Sequence, residues 1–558
     1  MQSRHLQLSH TSFRYSGIEG SDELWWKGAV FYEIYPRSFQ DSNGDGIGDL
    51  KGIEQRFPYL SELGIDAIWI TPFYKSPMAD FGYDVSDYTA VDPIFGTIDD
   101  FDRLLAKAHQ LNLRVVIDFV PNHTSDQHPW FIESRSAKTS PKRDWYIWRD
   151  GICQSGDSTN NLTFPNNWPS FFGGNAWTWD ENGAQYYLHL FLDRQPDLNW
   201  RNPEVIGAMQ EAMRFWLERG VDGFRLDAIN FLVKHPDLPD LPSVPDTTNS
   251  DLAEYHIYTN NQPELHDILR GFRQLADSFD SNRVFIGETG SLKPHELSQF
   301  YGSDNDEIQL PQIFLPVHTE WEAKSMRECL ISYYTALPTG SGPHFNISNH
   351  DARRLMDRYG VEKHRSIGMM LLTLLASPCL YYGDEIGMRE GVIPPEKKQD
   401  PFEGWMADHS SGRDPSRTPM QWNTDAHAGF TSKNADPWLP VNPDYEELCV
   451  DIQRQDPSST LNFYKQLLQF RRHSTALRSG SIQFLDGNED GVLTYLRESE
   501  TERLLIAINF TDNIYQLDLS ALTERADYVL SSTMDAPEIA SLTTITLRQH
   551  ESILLKIA

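Results

Sequence analysis

The sequence predicts an α/β protein: a (β/α)8 TIM barrel with a small domain inserted after its third strand and an antiparallel β-sandwich domain at its C-terminal end. Three observations predict it. Eight short apolar runs, each bounded by turn residues, recur between Ala29 and Tyr382. Amphipathic helical patterns separate most of them, and strand alternating with helix implies a parallel sheet that eight repeats close into a barrel. From about Ser479 the pattern changes to short alternating segments punctuated by turns, the mark of antiparallel strands.

The predicted barrel strands are Ala29–Tyr35, Ala67–Thr71, Arg114–Phe119, Gly223–Asp227, Val284–Glu288, Glu307–Phe314, Phe345–Asn349 and Cys379–Tyr382. Helical spacing of apolar residues covers Asp99–Leu111, Pro203–Arg219, Leu265–Phe279 and Ile367–Leu375. The second of these opens with Pro and stops at Gly220, which are helix start and stop signals. Between the third strand and the next long helix lie residues 123–202, rich in Trp, Asn, Gly and Pro. That is too long for an ordinary βα loop, and it reads as a small domain over the C-terminal face. The chain then divides into a loosely held N-terminal arm (1–20), the barrel (21–122 and 203–478), the inserted domain (123–202) and the β domain (479–558). An irregular subdomain (391–458) follows strand 8.

Of the 558 residues, 48 are Lys or Arg and 80 are Asp or Glu, a net charge of −32. Phosphate backbones are bound by clustered Lys and Arg, so nucleic acid and anionic membrane surfaces are poor partners. No apolar run approaches the roughly 18 residues of a membrane span. Four scattered cysteines, Cys153, Cys329, Cys379 and Cys449, read as reduced thiols and point to a cytoplasmic protein. The 12% aromatic content suits stacking on sugar rings. The expected partner is a small oligosaccharide or glucoside, with monomer and homodimer both open.

Barrel active sites lie at the C-terminal ends of the strands. The third predicted strand ends in Asp118 to His123, the fourth in Arg225-Leu-Asp227, the fifth in Glu288 and the seventh in Asn349-His350-Asp351. Asp227, Glu288 and Asp351 therefore converge with Arg225, His123 and His350. A charged strand end costs stability unless it is paired or used. Paired carboxylates in an aromatic-lined pocket suit glycoside hydrolysis. Arg225, two residues before Asp227 and on the same face, should keep Asp227 ionised. Glu288 has no basic neighbour in sequence, so a raised pKa is expected there. The histidines would donate to sugar hydroxyls.

These motifs carry a resemblance. DFVPNH (Asp118–His123), QPDLN (Gln195–Asn199), GFRLDAIN (Gly223–Asn230), IGET (Ile286–Thr289), NHD (Asn349–Asp351), DFGYDVSDY (Asp80–Tyr88) and GRDPSRTPMQW (Gly412–Trp422) together resemble the α-amylase family of glycoside hydrolases. Within it they resemble the α-glucosidase and oligo-1,6-glucosidase group, from about Trp25 onward. The resemblance implies Asp227 as nucleophile, Glu288 as acid/base and Asp351 as transition-state stabiliser in a retaining mechanism. It also implies that Asp80 and Arg413 grip the terminal glucose, making the enzyme exo-acting, with Tyr83 as a stacking platform.

Oxygen-bearing residues alternate with glycines in Asp41-Ser-Asn43-Gly-Asp45-Gly-Ile47-Gly-Asp49, like the first part of an EF-hand loop with Ile47 supplying a carbonyl. Gly52 stands where an EF-hand has its bidentate Glu, so a full EF-hand is not expected. In the resembling family this loop binds a structural Ca²⁺, and a structural role is expected because the chemistry needs no metal. Linkage preference turns on Ala228, next after Asp227. In the family a Val there accompanies α-1,6 preference and Ala or Thr α-1,4 preference, so maltose-like substrates are favoured. Gln312 departs from the commoner phrasing of its segment, where the residue is often aromatic or Met, and puts aglycone preference in question. The expectation is an exo-acting retaining α-glucosidase with transglucosylation activity. The alternatives are a sucrose-acting or isomerising glucosyl enzyme, or an α-1,6-preferring enzyme.

Overall fold

A computed structural model describes residues 4–7, 11–18, 24–153, 162–242, 257–279, 282–290, 293–314, 319–402, 412–485, 491–535 and 543–558. Eight strands build the barrel: β1 (Phe31–Ile34), β2 (Ala67–Ile70), β3 (Arg114–Phe119), β4 (Gly223–Leu226), β5 (Val284–Gly287), β6 (Leu310–Ile313), β7 (His344–Phe345) and β8 (Cys379–Tyr381). They are ordered β7-β6-β5-β4-β3-β2-β1-β8, and every pair is parallel. An isolated parallel bridge, Asn346 to Cys379, joins β7 to β8.

The interior is graded along the axis. Phe31, Trp69, Val116, Ile286 and Leu310 belong to an apolar floor. Toward the C-terminal ends the buried residues become polar: Glu33, Asp118, Arg225, Gln312 and His344. The fourth and fifth strands stop directly before the charged residues of the rim, Asp227 and Glu288.

The main helices are α1 (Ile98–Gln110), α2 (Pro203–Arg219), α3 (Leu265–Asp277), α4 (Ala323–Ala336), α5 (Val361–Thr373) and α6 (Thr460–His473). Thr97 and Asp100 form a reciprocal capping box at the start of α1. Asn202 caps α2, Pro203 fills its first turn, and Gly220 ends it at φ 95°. The expected positions of α1 to α3 match closely. The start of α5 is earlier than expected because its first turns, VEKHRS, are polar.

Residues 123–202 carry a helix (Pro129–Arg135) and a three-stranded antiparallel sheet of Trp148–Arg149, Gln185–Leu188 and Trp177–Asp180. Aromatic rings fill it, with Phe131 stacked on Trp148 at 5.6 Å. After β8 the chain runs through single 3-10 turns, among them Asp414–Arg417.

The N-terminal arm differs from expectation. Thr11–Tyr15 pairs antiparallel with Ser481–Leu485, and Arg4–Gln7 pairs parallel with Tyr515–Asp518. The segment TSFRY supplies β-favouring residues and adds the outermost strand to a six-stranded antiparallel sheet. The second, three-stranded sheet packs on it through Leu505, Leu517, Ile545, Ile553 and Leu555.

The β domain is not separate in its packing. The other face of the six-stranded sheet, including Phe484, Tyr495 and Ile506, joins the main core. Arg497 donates to the Thr373 carbonyl at 2.6 Å, and Arg471 to those of Leu372 (2.7 Å) and Ala376 (2.6 Å). Two buried guanidiniums thus satisfy carbonyls at the C-terminal end of α5, the end where positive charge is favoured.

Cys329, Cys379 and Cys449 are free thiols, and the Cys153 side chain lies outside the described residues. Among the described residues no helix is long and apolar enough to cross a membrane.

Candidate active site

Arg225 is the electrostatic centre of the site. It sits on β4, fully buried, and its register partner on β3 is Asp118. Nη1 reaches Asp118 Oδ1 at 3.1 Å and Asp227 Oδ1 at 2.5 Å, and Nη2 reaches Glu288 Oε2 at 2.9 Å. One guanidinium therefore faces three carboxylates. Trp69 Nε1 and the Tyr83 hydroxyl also donate to Asp118, at 3.2 and 3.0 Å. Burial pushes the Asp118 carboxyl up to about 6, against the pull of Arg225.

The expectation that Arg225 holds Asp227 ionised needs correction. Burial, aided by the facing Glu288 charge, pushes the Asp227 carboxyl well above the usual range, and Arg225 only opposes the rise. The reason is arithmetic of charge: a single cation cannot neutralise three desolvated carboxylates. The view that Glu288 lacks a basic neighbour also fails in three dimensions, because Arg225 reaches it across β4 and β5. The backbone N–H of Ala228 donates to Glu288 Oε2 as well, at 2.9 Å.

Asp351 sits opposite, half-exposed into the pocket. Arg417 Nη2 lies 2.7 Å from its Oδ1, Arg413 Nη1 3.2 Å from the same atom, and His350 Nε2 3.3 Å from Oδ2. Burial alone would raise this carboxyl, but His350 and the guanidiniums of Arg413 and Arg417 outweigh it and hold it well below the ordinary carboxylate range. Asp351 is thus an acid that stays ionised.

Arg413 ties the rim together. Its Nη2 donates to Asp80 Oδ1 at 2.7 Å and to Asp400 Oδ1 at 2.8 Å. Its Nε lies 3.1 Å from Asp400 Oδ2. Gln195 Nε2 donates to the other Asp80 oxygen at 3.1 Å. The inserted domain thereby contributes a hydrogen bond to the site.

The histidines are committed to the protein. His123 Nε2 meets the Tyr83 carbonyl and the Gln195 amide, each at 3.1 Å. His350 Nδ1 meets Glu33 Oε1 at 2.6 Å, and its Nε2 meets the Tyr83 hydroxyl at 2.8 Å. Burial pushes both imidazoles down to about 3, so both are neutral. The Tyr83 and His350 rings are nearly parallel, 5.3 Å between centroids and 9° between planes, and are held together edge to edge by the hydroxyl contact. Ala228 is buried beside Asp227 in the left-handed region, φ 47° and ψ 35°. Gln312 points into the barrel toward Arg225 Nε, 3.4 Å away.

In the Asp41–Asp49 loop, Asp41 accepts from the N–H groups of Asn43 (2.9 Å), Gly44 (2.7 Å) and Gly46 (2.8 Å). Asn43 accepts from Asp45, and Asp45 from Ile47. Asp49 accepts from Ser42 and caps the next helix through Gly52. Among the described residues no three His, Cys, Asp or Glu side chains gather as a metal cluster. Asn43 and the Ile47 carbonyl fall outside that residue set. Each oxygen of Asp41 and Asp49 already accepts two hydrogen bonds, whereas Asn43 and Asp45 each accept one N–H and keep lone pairs that, with the Ile47 carbonyl, suit a hard cation.

Four residues of the site went unassigned in sequence. Glu33 carried a usable signal, being an acid in the middle of the apolar run AVFYEIY. Gln195 lay inside a quoted motif. Arg417 also lay inside a quoted motif, GRDPSRTPMQW, whereas Asp400 lies in a loop without periodicity, where only the fold brings it to Arg413.

Residues 33–480 match the family model described as alpha amylase, catalytic domain, and residues 482–554 match maltogenic amylase, C-terminal domain. A probable alpha-glucosidase of Rhizobium meliloti (strain 1021) is 44% identical over 514 residues, 89% of this chain and 91% of that relative. An oligo-1,6-glucosidase of Parageobacillus thermoglucosidasius is 36% identical, covering 96% of this chain and 99% of that one. The crystal structure of the alpha-glucosyl transfer enzyme XgtA superposes with a TM-score of 0.87 at 40% identity, covering 96% and 100% of the two chains. With its barrel, its rim of carboxylates and these matches along most of its length, the chain belongs to the α-amylase family.

Proposed function

We propose that this protein is an exo-acting, retaining α-glucosidase that releases glucose from the non-reducing end of short α-glucosides, α-1,4 links favoured, and transfers glucosyl groups to other acceptors. The observation that carries the reading is Arg225 in contact with both Asp227 and Glu288. Three carboxylates facing one guanidinium retain a proton between them, and a retaining glycosidase needs one carboxylic acid beside one carboxylate. With substrate bound, Glu288 holds that proton against the glycosidic oxygen and Asp227 is the anion facing C1.

Asp227 attacks C1 as Glu288 protonates the departing oxygen, so the C1–O bond breaks and a β-glucosyl ester forms. Glu288, now a carboxylate, takes a proton from water or from a sugar hydroxyl. That oxygen attacks C1 from the vacated face, which restores the α configuration and frees Asp227. Asp351, kept ionised by its arginines, faces the positive charge that develops at C1. The Asp80–Arg413 pair offers a carboxylate and a guanidinium to the terminal hydroxyls and stops the chain there, which makes the action exo.

Ala228 supports the α-1,4 preference by its size, and the likeness to a glucosyl transfer enzyme supports transfer. We also propose that Asp41, Asn43, Asp45, Asp49 and the Ile47 carbonyl hold a structural Ca²⁺ that stiffens the first βα loop, and that the protein is cytoplasmic. The test of the catalytic reading is product analysis on maltose, isomaltose, sucrose and trehalose, with NMR of the first-formed anomer. Glucose released first as the α-anomer, fastest from maltose, is the expected result. A first-formed β-anomer would overturn retention, and faster cleavage of isomaltose would overturn the linkage preference.

A further inference from the structure

Behind the carboxylates lies a second polar layer that the chemistry above leaves unused. Gln312 on β6 and His344 on β7 are register partners, so their side chains leave the sheet on one face. The contact from Gln312 Oε1 to Arg225 Nε places that face inside the barrel. Asn346 follows His344 by two residues and therefore shares its side. It bridges Cys379 on β8, and β8 pairs with β1, which carries Glu33. The four residues form one arc across β6, β7, β8 and β1, and all are fully buried.

Six of their side-chain atoms make no hydrogen bond among the described residues: Gln312 Nε2, His344 Nδ1 and Nε2, Asn346 Nδ2 and Oδ1, and Glu33 Oε2. The Ser377 backbone approaches the His344 ring, and burial keeps that ring neutral. A buried polar atom without a partner costs about 1–3 kcal/mol, and native interiors satisfy such groups with protein or ordered water. The donor set identifies the partner. Two amide NH₂ groups donate, the Asn346 oxygen accepts, the Glu33 carboxyl, pushed toward its protonated form by burial, can do either, and a neutral imidazole does one of each. A bound cation needs acceptors alone and a bound anion donors alone. Water satisfies both kinds at once and takes two to four partners.

We propose that ordered waters fill this arc of the barrel, bound by Gln312, His344, Asn346 and Glu33, and that Gln312, fixed by them, is a positioning residue for Arg225. Gln312 Oε1 accepts from Arg225 Nε, while the far end of the same guanidinium meets Asp227 and Glu288. The waters thereby set the angle at which the guanidinium approaches the reacting carboxylates. The positioning half rests on the α-glucosidase reading, whereas the water half does not.

A crystal structure at about 1.5 Å resolution, paired with melting curves of His344→Leu and Asn346→Leu, tests the first half. Density for at least two waters within hydrogen-bond distance of His344 and Asn346 is expected, with a lower melting temperature in each variant because the waters lose partners. An arc without water density, or variants that melt higher because unpaired polar atoms were removed, overturns it. Steady-state kinetics of Gln312→Met on the wild type's best substrate tests the second half. The expected result is a fall in kcat of about tenfold with KM within twofold and a displaced acid limb of the pH profile. Unchanged kcat and pH profile overturn the positioning role. A wild-type protein that cleaves no glucoside defeats the catalytic reading and leaves the water and melting outcomes standing.

Discussion

The backbone N–H of Ala228 donates to Glu288 Oε2 at 2.9 Å, from a residue whose φ is 47°. The turn after Asp227 therefore orients the proposed acid as well as presenting the proposed nucleophile. The left-handed conformation costs a non-glycine residue roughly 1–2 kcal/mol, and a β-branched residue more. Ala228→Gly is expected to melt at or slightly above the wild type with activity retained. Ala228→Val is expected to melt lower and to lose kcat as the N–H swings away from Glu288. Thermal melts and maltose kinetics check both, and a Val variant as stable as wild type would refute the strain.

Asp227→Ala is expected to abolish turnover and leave the fold intact, because Asp227 caps no helix and its contacts are with Arg225 and Glu288. Single catalytic groups are worth about 10²–10⁴-fold. Residual kcat above about 1% of wild type, with an unchanged circular dichroism spectrum, would sink the nucleophile assignment.

Asp400 grips Arg413 through both carboxylate oxygens and so fixes the guanidinium that reaches Asp80 and Asp351. Hydrogen bonds to charged groups are worth about 1.5–3 kcal/mol. Asp400→Ala is expected to raise KM for maltose by roughly tenfold or more, with a smaller effect on kcat. An unaltered KM would show that Arg413 holds its place without Asp400.

Glu385 is buried on the outer side of the barrel core, where the hydroxyls of Tyr32 and Tyr59 donate to its Oε1 at 2.8 and 2.6 Å. Burial pushes its carboxyl from an ordinary 4.5 up to about 7. The folded state thus holds a proton that the unfolded chain releases between those values. Its contribution is fully present below about pH 4.5 and is lost as pH rises through about 7. At about 1.4 kcal/mol per unit, the loss is roughly 3 kcal/mol. Glu385→Gln should remove this part of the pH dependence and melt higher than wild type at pH 8. Parallel melting curves for the two proteins from pH 4.5 to 8 would contradict the account.

Chelation is expected to lower the melting temperature, and added Ca²⁺ to restore it, if the Asp41–Asp49 loop holds the ion. An unchanged melt, with no metal by elemental analysis, removes the proposal.

The barrel was legible because its strands are short apolar runs bounded by turn residues, and the charged residues at or just beyond the ends of the fourth, fifth and seventh runs exposed Asp227, Glu288 and Asp351. Charge balance was not legible. Arg225 looked like a private partner of Asp227, since sequence proximity gives no hint that Asp118 and Glu288 converge on it from β3 and β5. Asp400 left no trace, and Arg417, though inside a quoted motif, was given no role, because loop residues have no period to betray which way they face. Gln312 stood out in the sequence only as a departure from the commoner phrasing, and its contact with Arg225 Nε left no trace there because the two lie on different strands. The first strand of the β domain was passed over because its partner lies at the other end of the chain.

That last pairing has a consequence for how the protein is made. The strand Thr11–Tyr15 leaves the ribosome before the barrel, and its partner Ser481–Leu485 emerges only after the whole barrel. Until then an edge-seeking segment waits unpaired, and a β domain begun without it presents an open flank. This pairing encloses the whole barrel in its loop and forms late, and such distant contacts are slow. Removing Thr11–Tyr15 would therefore disturb a domain made long after it, far along the sequence from the site of the change.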